Sequence, residues 1–297
     1  MSADLPDPAH SVDRVDRAGR HRPAGPGPTP AGCPVPAYAD RVFSPEGPSL
    51  RALAAQALTS VERGYDMLAP TFDKTPFRTP DLFLDAVGAA LTPLGPFDAG
   101  LDVCCGTGAG IRVLRPLCRG SVTGVDFSAG MLAEAREAYG SDQVYGSDET
   151  DGPDRTGGGP EPRFVRADAR AMPFAEGFDL AVSFGAFGHF LPAERPALFA
   201  EVRRALRPGG LFAFPIGAPP LAGSPWHWAF AGFDAVMRVR NALWRPPFVM
   251  YYRTFPLSEV RADLLTAGFG VELRPLEEFG RRADGSPRCR IVLARRL

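Results

Sequence analysis

The residues of this 297-residue chain with the spacing to do chemistry sit where apolar runs meet acids. Leu101-Asp102-Val103 leads into the small-residue run Cys104-Cys105-Gly106-Thr107-Gly108-Ala109-Gly110. That pattern predicts a buried parallel strand turning tightly into a helix. Glycines there let the backbone pass close to a ligand and tolerate positive φ. About twenty residues on, Val122-Thr123-Gly124-Val125-Asp126 is a second apolar strand ending on an acid. An acid at the tip of the neighbouring strand suits the two hydroxyls of a ribose. The pair describes a nucleoside site at the carboxyl edge of an open α/β sheet.

The acid Asp102 discriminates between nucleosides. A dinucleotide fingerprint would put its third glycine at Ile111, whereas the chain has Gly110. A carboxylate four residues before Gly106 repels a pyrophosphate and attracts a cationic ligand. Asp102 to Gly108 resembles the first motif of the class I S-adenosylmethionine-dependent methyltransferases, acid-x-Gly-x-Gly-x-Gly, with Cys104 in place of the first glycine. Arg163-Phe164-Val165-Arg166-Ala167-Asp168 resembles the family's third acid-ended strand, and Leu206-Arg207-Pro208-Gly209-Gly210-Leu211 its turn before the fifth strand.

The resemblance implies a doubly wound, Rossmann-like α/β fold, with a mostly parallel seven-stranded sheet and a terminal antiparallel hairpin. It implies S-adenosyl-L-methionine as cofactor. Asp126 would hold its ribose, Phe127 and Met131 would flank the adenine, and Asp168 would reach the adenine amino group with the Ala169 backbone beside the ring. Asp102, Cys104 and the Gly106-Thr107-Gly108 backbone would hold the methionine end. Phe184, closing the fourth strand, completes the cofactor set.

Methyl transfer from a sulfonium is an in-line displacement with a good leaving group, so the protein mainly positions the nucleophile and excludes water. A base is needed only for a neutral hydroxyl. His189, in the loop Gly185-Ala186-Phe187-Gly188-His189-Phe190, is the candidate catalytic residue, as base or as hydrogen-bond partner of the acceptor. A loop histidine facing solvent or capping a helix is the structural alternative. The expected reaction is methylation of an O or N atom of a small, partly hydrophobic acceptor. The alternatives are an NAD(P)-dependent oxidoreductase on the same sheet and a non-catalytic cofactor-binding protein.

Composition divides the chain. Residues 1–45 are rich in Pro, Gly, Asp and Arg and are expected to be a disordered tail, with the methyltransferase domain spanning 46–297. Within it, apolar spacing predicts a helix from Ser49 to Leu68. Its continuation, Tyr65 to Asp73, resembles the segment that closes over the cofactor in small-molecule methyltransferases. Thr79-Pro80-Asp81 reads as a helix start with a capping hydroxyl. Residues 140–162, with Gly157-Gly158-Gly159-Pro160 and the acids Asp148, Glu149, Asp151 and Asp154, are expected to be a flexible insertion. Residues 217–255 carry all three tryptophans and are expected to form a substrate lid.

A net charge of -1 gives no electrostatic case for a nucleic-acid partner. The five cysteines have no zinc spacing, and the acids of the insertion lack the alternation of a calcium loop, so no metal is expected. No run approaches the ~20 apolar residues of a membrane span, and no membrane partner is expected. Unpaired cysteines and a polar N-terminus fit a cytoplasmic location.

Overall fold

The computed structural model describes residues 55, 56, 58–140 and 159–297. Seven strands form one sheet in the order β3-β2-β1-β4-β5-β7-β6. They are β1 (Phe97–Val103), β2 (Cys118–Asp126), β3 (Pro162–Arg166), β4 (Phe178–Val182), β5 (Leu206–Gly217), β6 (Phe269–Pro275) and β7 (Cys289–Arg296). The first five run parallel, while β7 inserts antiparallel between β5 and β6. Strand order reverses direction between β1 and β4, which opens a crevice beyond their carboxyl ends.

Alternation along the strands splits the core into two layers. Ala181, Phe212 and Phe214 pack on one face with Phe199, Val260 and Leu264. Leu180, Val182, Leu211 and Ala213 face the other way, against Leu84, Val87, Ile111 and Leu114. The helices that supply those layers are α2 (Asp81–Leu91) and α3 (Ala109–Leu114) on one side, α5 (Arg195–Ala205) and α7 (Leu257–Thr266) on the other. Near-continuous apolar strands are what burial on both faces requires. Three further helices among the described residues are α1 (Val61–Leu68), α4 (Ala129–Gly140) and α6 (Pro225–Leu243).

Local departures from the sequence reading have identifiable causes. The third strand stops at Arg166, and Asp168 lies two residues beyond it. Its carboxylate accepts the Arg170 amide at 2.8 Å, an Asx turn that bends the chain away from the ladder. Thr79 does not cap α2; Pro80 occupies the cap position without a side-chain bond. The Arg-Pro-Gly-Gly segment is a bulge inside β5, whose register jumps from Phe178–Leu206 to Leu180–Leu211. Gly209 takes φ +79 there. Helix α1 is capped by Ser60, whose hydroxyl accepts from the Arg63 amide at 3.2 Å. Ser49, where that helix was expected to begin, the tail 1–45 and residues 141–158 of the insertion lie outside the described residues. Of the insertion's ends, Gly140 closes α4 and Pro162 opens β3.

Candidate active site

A cavity of about 340 Å³ lies at the carboxyl ends of β1, β2 and β4. Its floor is the turn after β1. Cys104 sits there at φ +59, Gly106 at φ +53 and Gly108 at φ +97. The turn therefore demands a left-handed backbone at the position of the family's first glycine, and Cys104 adopts it despite its side chain. A Cβ on Gly106 would meet nothing within 4 Å, so the backbone there faces open cavity.

Asp126 ends β2 at 7% exposure. One of its oxygens accepts from the Gly106 amide at 2.9 Å and the other from the Ser128 amide at 2.9 Å. Burial raises its pKa, and the amides of Ser128, Gly106 and Phe127 pull it back. Cys104, Gly106, Thr107, Gly108, Phe127, Met131, Asp168, Ala169, Phe184 and His189 also line the cavity. The fold thus brings together all the sequence-predicted site residues except one.

Asp102 is the exception and a correction to the expectation of direct ligand contact. It is 1% exposed and lies behind the cavity floor, against the first turn of α3. A Cβ on Gly110 would come within 2.4 Å of its Oδ1. Burial and the neighbouring Asp126 raise its pKa well above the carboxylate range, while the amides of Gly110 and Ile111 oppose the rise. Neither oxygen makes a hydrogen bond of ordinary geometry. Asp168 has a different surprise. Arg170 grips both its oxygens, with Nε at 2.9 and 3.1 Å, and holds its pKa below the usual value. With the Arg170 amide also on Oδ1 and a terminal guanidinium nitrogen on Oδ2, the four acceptor positions of the carboxylate are engaged, so an adenine amino group would have to compete with Arg170.

The segment from Tyr65 to Asp73 covers the cavity, and three side-chain anchors hold it. Asp66 accepts from the Ser128 hydroxyl at 2.6 Å and the Gly130 amide at 2.9 Å. Asp73 accepts from the Thr107 hydroxyl at 2.8 Å. The Tyr65 hydroxyl lies 2.7 Å from His189 Nε2, and His189 Nδ1 lies 2.7 Å from the Val249 carbonyl oxygen. A carbonyl can only accept, so Nδ1 carries the proton and Nε2 accepts from Tyr65. Burial lowers the pKa of His189, whereas burial and Asp126 raise that of Tyr65, so both are neutral. Tyr65 and Asp73 were absent from the sequence-predicted set; their signal was the resemblance of that segment to a cofactor-covering one.

Of residues 217–255, Pro247 and Val249 line the cavity, while Trp226, Trp228 and Trp244 are each more than half exposed.

The site fits a cationic nucleoside. It offers an open glycine backbone, two buried acids whose charge burial disfavours, and a wall of Phe127, Met131, Phe72 and Phe77. The sequence profile of the methyltransferase domain family matches residues 101–214, the segment that builds this floor. A demethylmenaquinone methyltransferase of Thermus thermophilus is 31% identical over 181 residues, covering 58% of this chain and 74% of that protein. The chain belongs to the class I S-adenosylmethionine-dependent methyltransferase family. A malonyl-[acyl-carrier protein] O-methyltransferase of Geobacter sulfurreducens is 32% identical over 171 residues, and the chain spans 54% of its length. In fold, a SAM-dependent methyltransferase of Methanosarcina mazei superposes with TM-score 0.50 at 21% identity, over 68% of this chain and 94% of that one. One from Clostridium acetobutylicum gives 0.51 at 15% identity, over 78% and 98%.

Proposed function

We propose that this member of the family transfers the methyl group of S-adenosylmethionine to a hydroxyl of a small, partly hydrophobic acceptor. The observation that carries the reading is the neutral Tyr65–His189 pair in the cavity wall. When bound, the cofactor supplies an electrophilic methyl on a cationic sulfur that leaves as a neutral thioether. Asp126 holds the ribose, with its carboxylate fixed from behind by two amides. Phe127 and Met131 would flank the adenine, and Asp168 with Ala169 would meet its polar edge. The turn Cys104 to Gly108 holds the methionine end. Asp102 would act from behind that turn, through the backbone it packs against and not as a contact.

At the acceptor end, Tyr65 presents its oxygen while its own proton is donated to His189 Nε2. As the acceptor oxygen takes the methyl group, its proton passes to Tyr65 and the Tyr65 proton passes to Nε2. A positive charge lost from a bound sulfonium would be matched by one gained on the His189 imidazole, so the buried site would keep its net charge. His189 is then the base, reached through Tyr65. Apolar neighbours Val61, Phe72, Pro247 and Val249 favour an uncharged acceptor over one with a phosphate or carboxylate. The acceptor wall contributed by the predicted lid reduces to residues 247–249. The relatives are named for two different acceptors, so the cavity and not the similarity guides this choice. The four free thiols among the described residues support a cytoplasmic setting.

Calorimetric titration with S-adenosylmethionine, followed by transfer assays with labelled cofactor over panels of phenols, alcohols and amines, tests the reading. Binding of the cofactor and labelling of hydroxyls, lost in Tyr65→Phe and His189→Ala, is expected. Protein that binds NAD and not S-adenosylmethionine would move the assignment to an oxidoreductase.

A further inference from the structure

Helix α6 leaves an apolar stripe exposed. A surface helix normally turns its apolar stripe to the core and its polar face to water. Here the residues at helical spacing on the outer face are Trp228, Gly232, Ala235, Val236, Val239, Ala242 and Leu243, all exposed. Trp228 is 67% exposed, Val236 66%, Val239 59% and Leu243 81%. This stripe is about 22 Å long at 1.5 Å per residue. Met237 and Phe233 pack inward, and beside them Asp234, Arg240 and Asn241 bond to the neighbouring chain. Asp234 accepts from the amides of Tyr252 and Arg253 at 2.8 and 3.2 Å. Asn241 donates to the Phe248 carbonyl and the Tyr251 hydroxyl, and accepts the Phe248 amide. Arg240 donates to the carbonyls of Thr59 and Pro246. These polar residues fasten the loop 244–253 to the helix, and the apolar stripe has no cover among the described residues.

We propose that this face lies on an anionic lipid surface. Contiguous exposed apolar area of this kind marks a partner or a membrane. Charge decides between them. Within residues 221–256 the arginines are Arg238, Arg240, Arg245 and Arg253, and the sole acid is Asp234, which is buried. Arg238 borders the stripe, its guanidinium 4.9 Å from the Tyr251 ring centre, and Arg245 and Arg253 are exposed beyond its end. Apolar residues flanked by arginine, with tryptophans at both ends of the helix, are what an interfacial helix presents to anionic headgroups. Among the described residues no helix is long and apolar enough to cross a membrane, which concerns spanning and not lying on the surface. The helix runs through residues 244–249 directly to Pro247 and Val249 of the cavity wall. A docked helix would therefore set the cavity mouth beside the bilayer, where an apolar acceptor would be dissolved.

All three tryptophans of the chain lie at 226, 228 and 244, so intrinsic fluorescence reports on this element alone. The full chain is mixed with phosphatidylglycerol–phosphatidylcholine vesicles and with phosphatidylcholine vesicles. Co-sedimentation with the anionic vesicles is expected, with a blue shift of tryptophan emission and weakening as salt is raised. The double variant Val236→Glu, Val239→Glu changes only exposed positions and should keep the fold by circular dichroism. It should lose vesicle affinity on the order of tenfold or more. No sedimentation and no shift with anionic vesicles overturns the proposal, as does undiminished binding by the double variant. A wild-type dimer that the double variant makes monomeric, without vesicle binding, assigns the face to a second copy. None of these readouts depends on methyl transfer.

Discussion

The rings of Tyr65 and His189 meet edge-on at 89° with centres 5.1 Å apart, which directs the tyrosine hydroxyl into the plane of the imidazole at Nε2. Their 124-residue separation in sequence means that the pair exists only once α1 has docked over the sheet. Tyr65→Phe keeps the ring packing and removes the relay oxygen. Turnover of a hydroxyl acceptor should fall by about 10²–10⁴ with cofactor affinity little changed. His189→Ala should cost a similar factor, and the double variant little more than either single one, since the two groups act as a unit. Additive losses in single-turnover rates would separate their roles.

Burial keeps His189 neutral, with its pKa below the ordinary histidine value. The unfolded chain takes up that proton near pH 6.5, before the folded one does. Below that pH the unfolded state holds more protons, so stability falls as pH falls, by at most about 1.4 kcal/mol per pH unit from this group. The loss ends once the folded imidazole titrates. Denaturant midpoints measured from pH 8 down to 5 should fall less steeply in His189→Gln than in the wild type. Parallel curves would remove His189 as the source.

Asp126 carries two tasks. Its oxygens accept the amides of Gly106 and Ser128, and a ribose would use the remaining lone pairs. Asp126→Ala should weaken S-adenosylmethionine about ten- to a hundredfold. It should also lower stability by roughly 1–3 kcal/mol, because two amides lose their acceptor. Titration calorimetry and a thermal melt read the two effects independently. Unchanged affinity in a destabilised variant would leave the carboxylate with its structural task alone.

Gly110 and Asp102 exclude each other's growth. A methyl group at Gly110 would press on both carboxylate oxygens, at 2.4 and 2.6 Å. Gly110→Ala should destabilise by about 1–3 kcal/mol, the usual range for overpacking a tight site. Adding Asp102→Ala should recover part of that loss, a non-additivity expected of residues in contact. Chemical denaturation of the two single variants and the double variant measures it. Strict additivity would mean that the helix shifts to make room.

The strand ends and the cavity floor were legible because a buried parallel strand needs an unbroken apolar run, and an acid at its tip stands out. Cys104 was legible as a glycine position for a related reason: the turn constrains φ, and a non-glycine residue can meet that constraint at some cost in strain. Asp168 was misplaced by two residues because the Asx turn that ends the strand lies in a side-chain bond, which the apolar pattern does not register. Helix α6 shows a deeper limit. Periodicity reveals that a helix has two faces, but not which one turns inward. The aromatic stretch therefore read as a cavity wall, whereas its tryptophans face out. Asp102 and Arg170 mark another limit, since depth behind the floor and a competing partner are properties of packing, not of spacing.

The anchors of the 65–73 segment give ligand exchange a thermodynamic signature. Tyr65, Phe72 and Asp73 line the cavity, and Asp66 is tied to the start of α4. A ligand beneath that segment binds only the state in which it is docked, so occupancy must suppress its local opening. Amide hydrogens of α1 and of residues 69–74 should then exchange more slowly as cofactor concentration rises, while those of β5 and β7, far along the sheet, keep their rates. The N-terminal edge of the domain would thus serve as a solvent-exchange gauge of what the cavity holds.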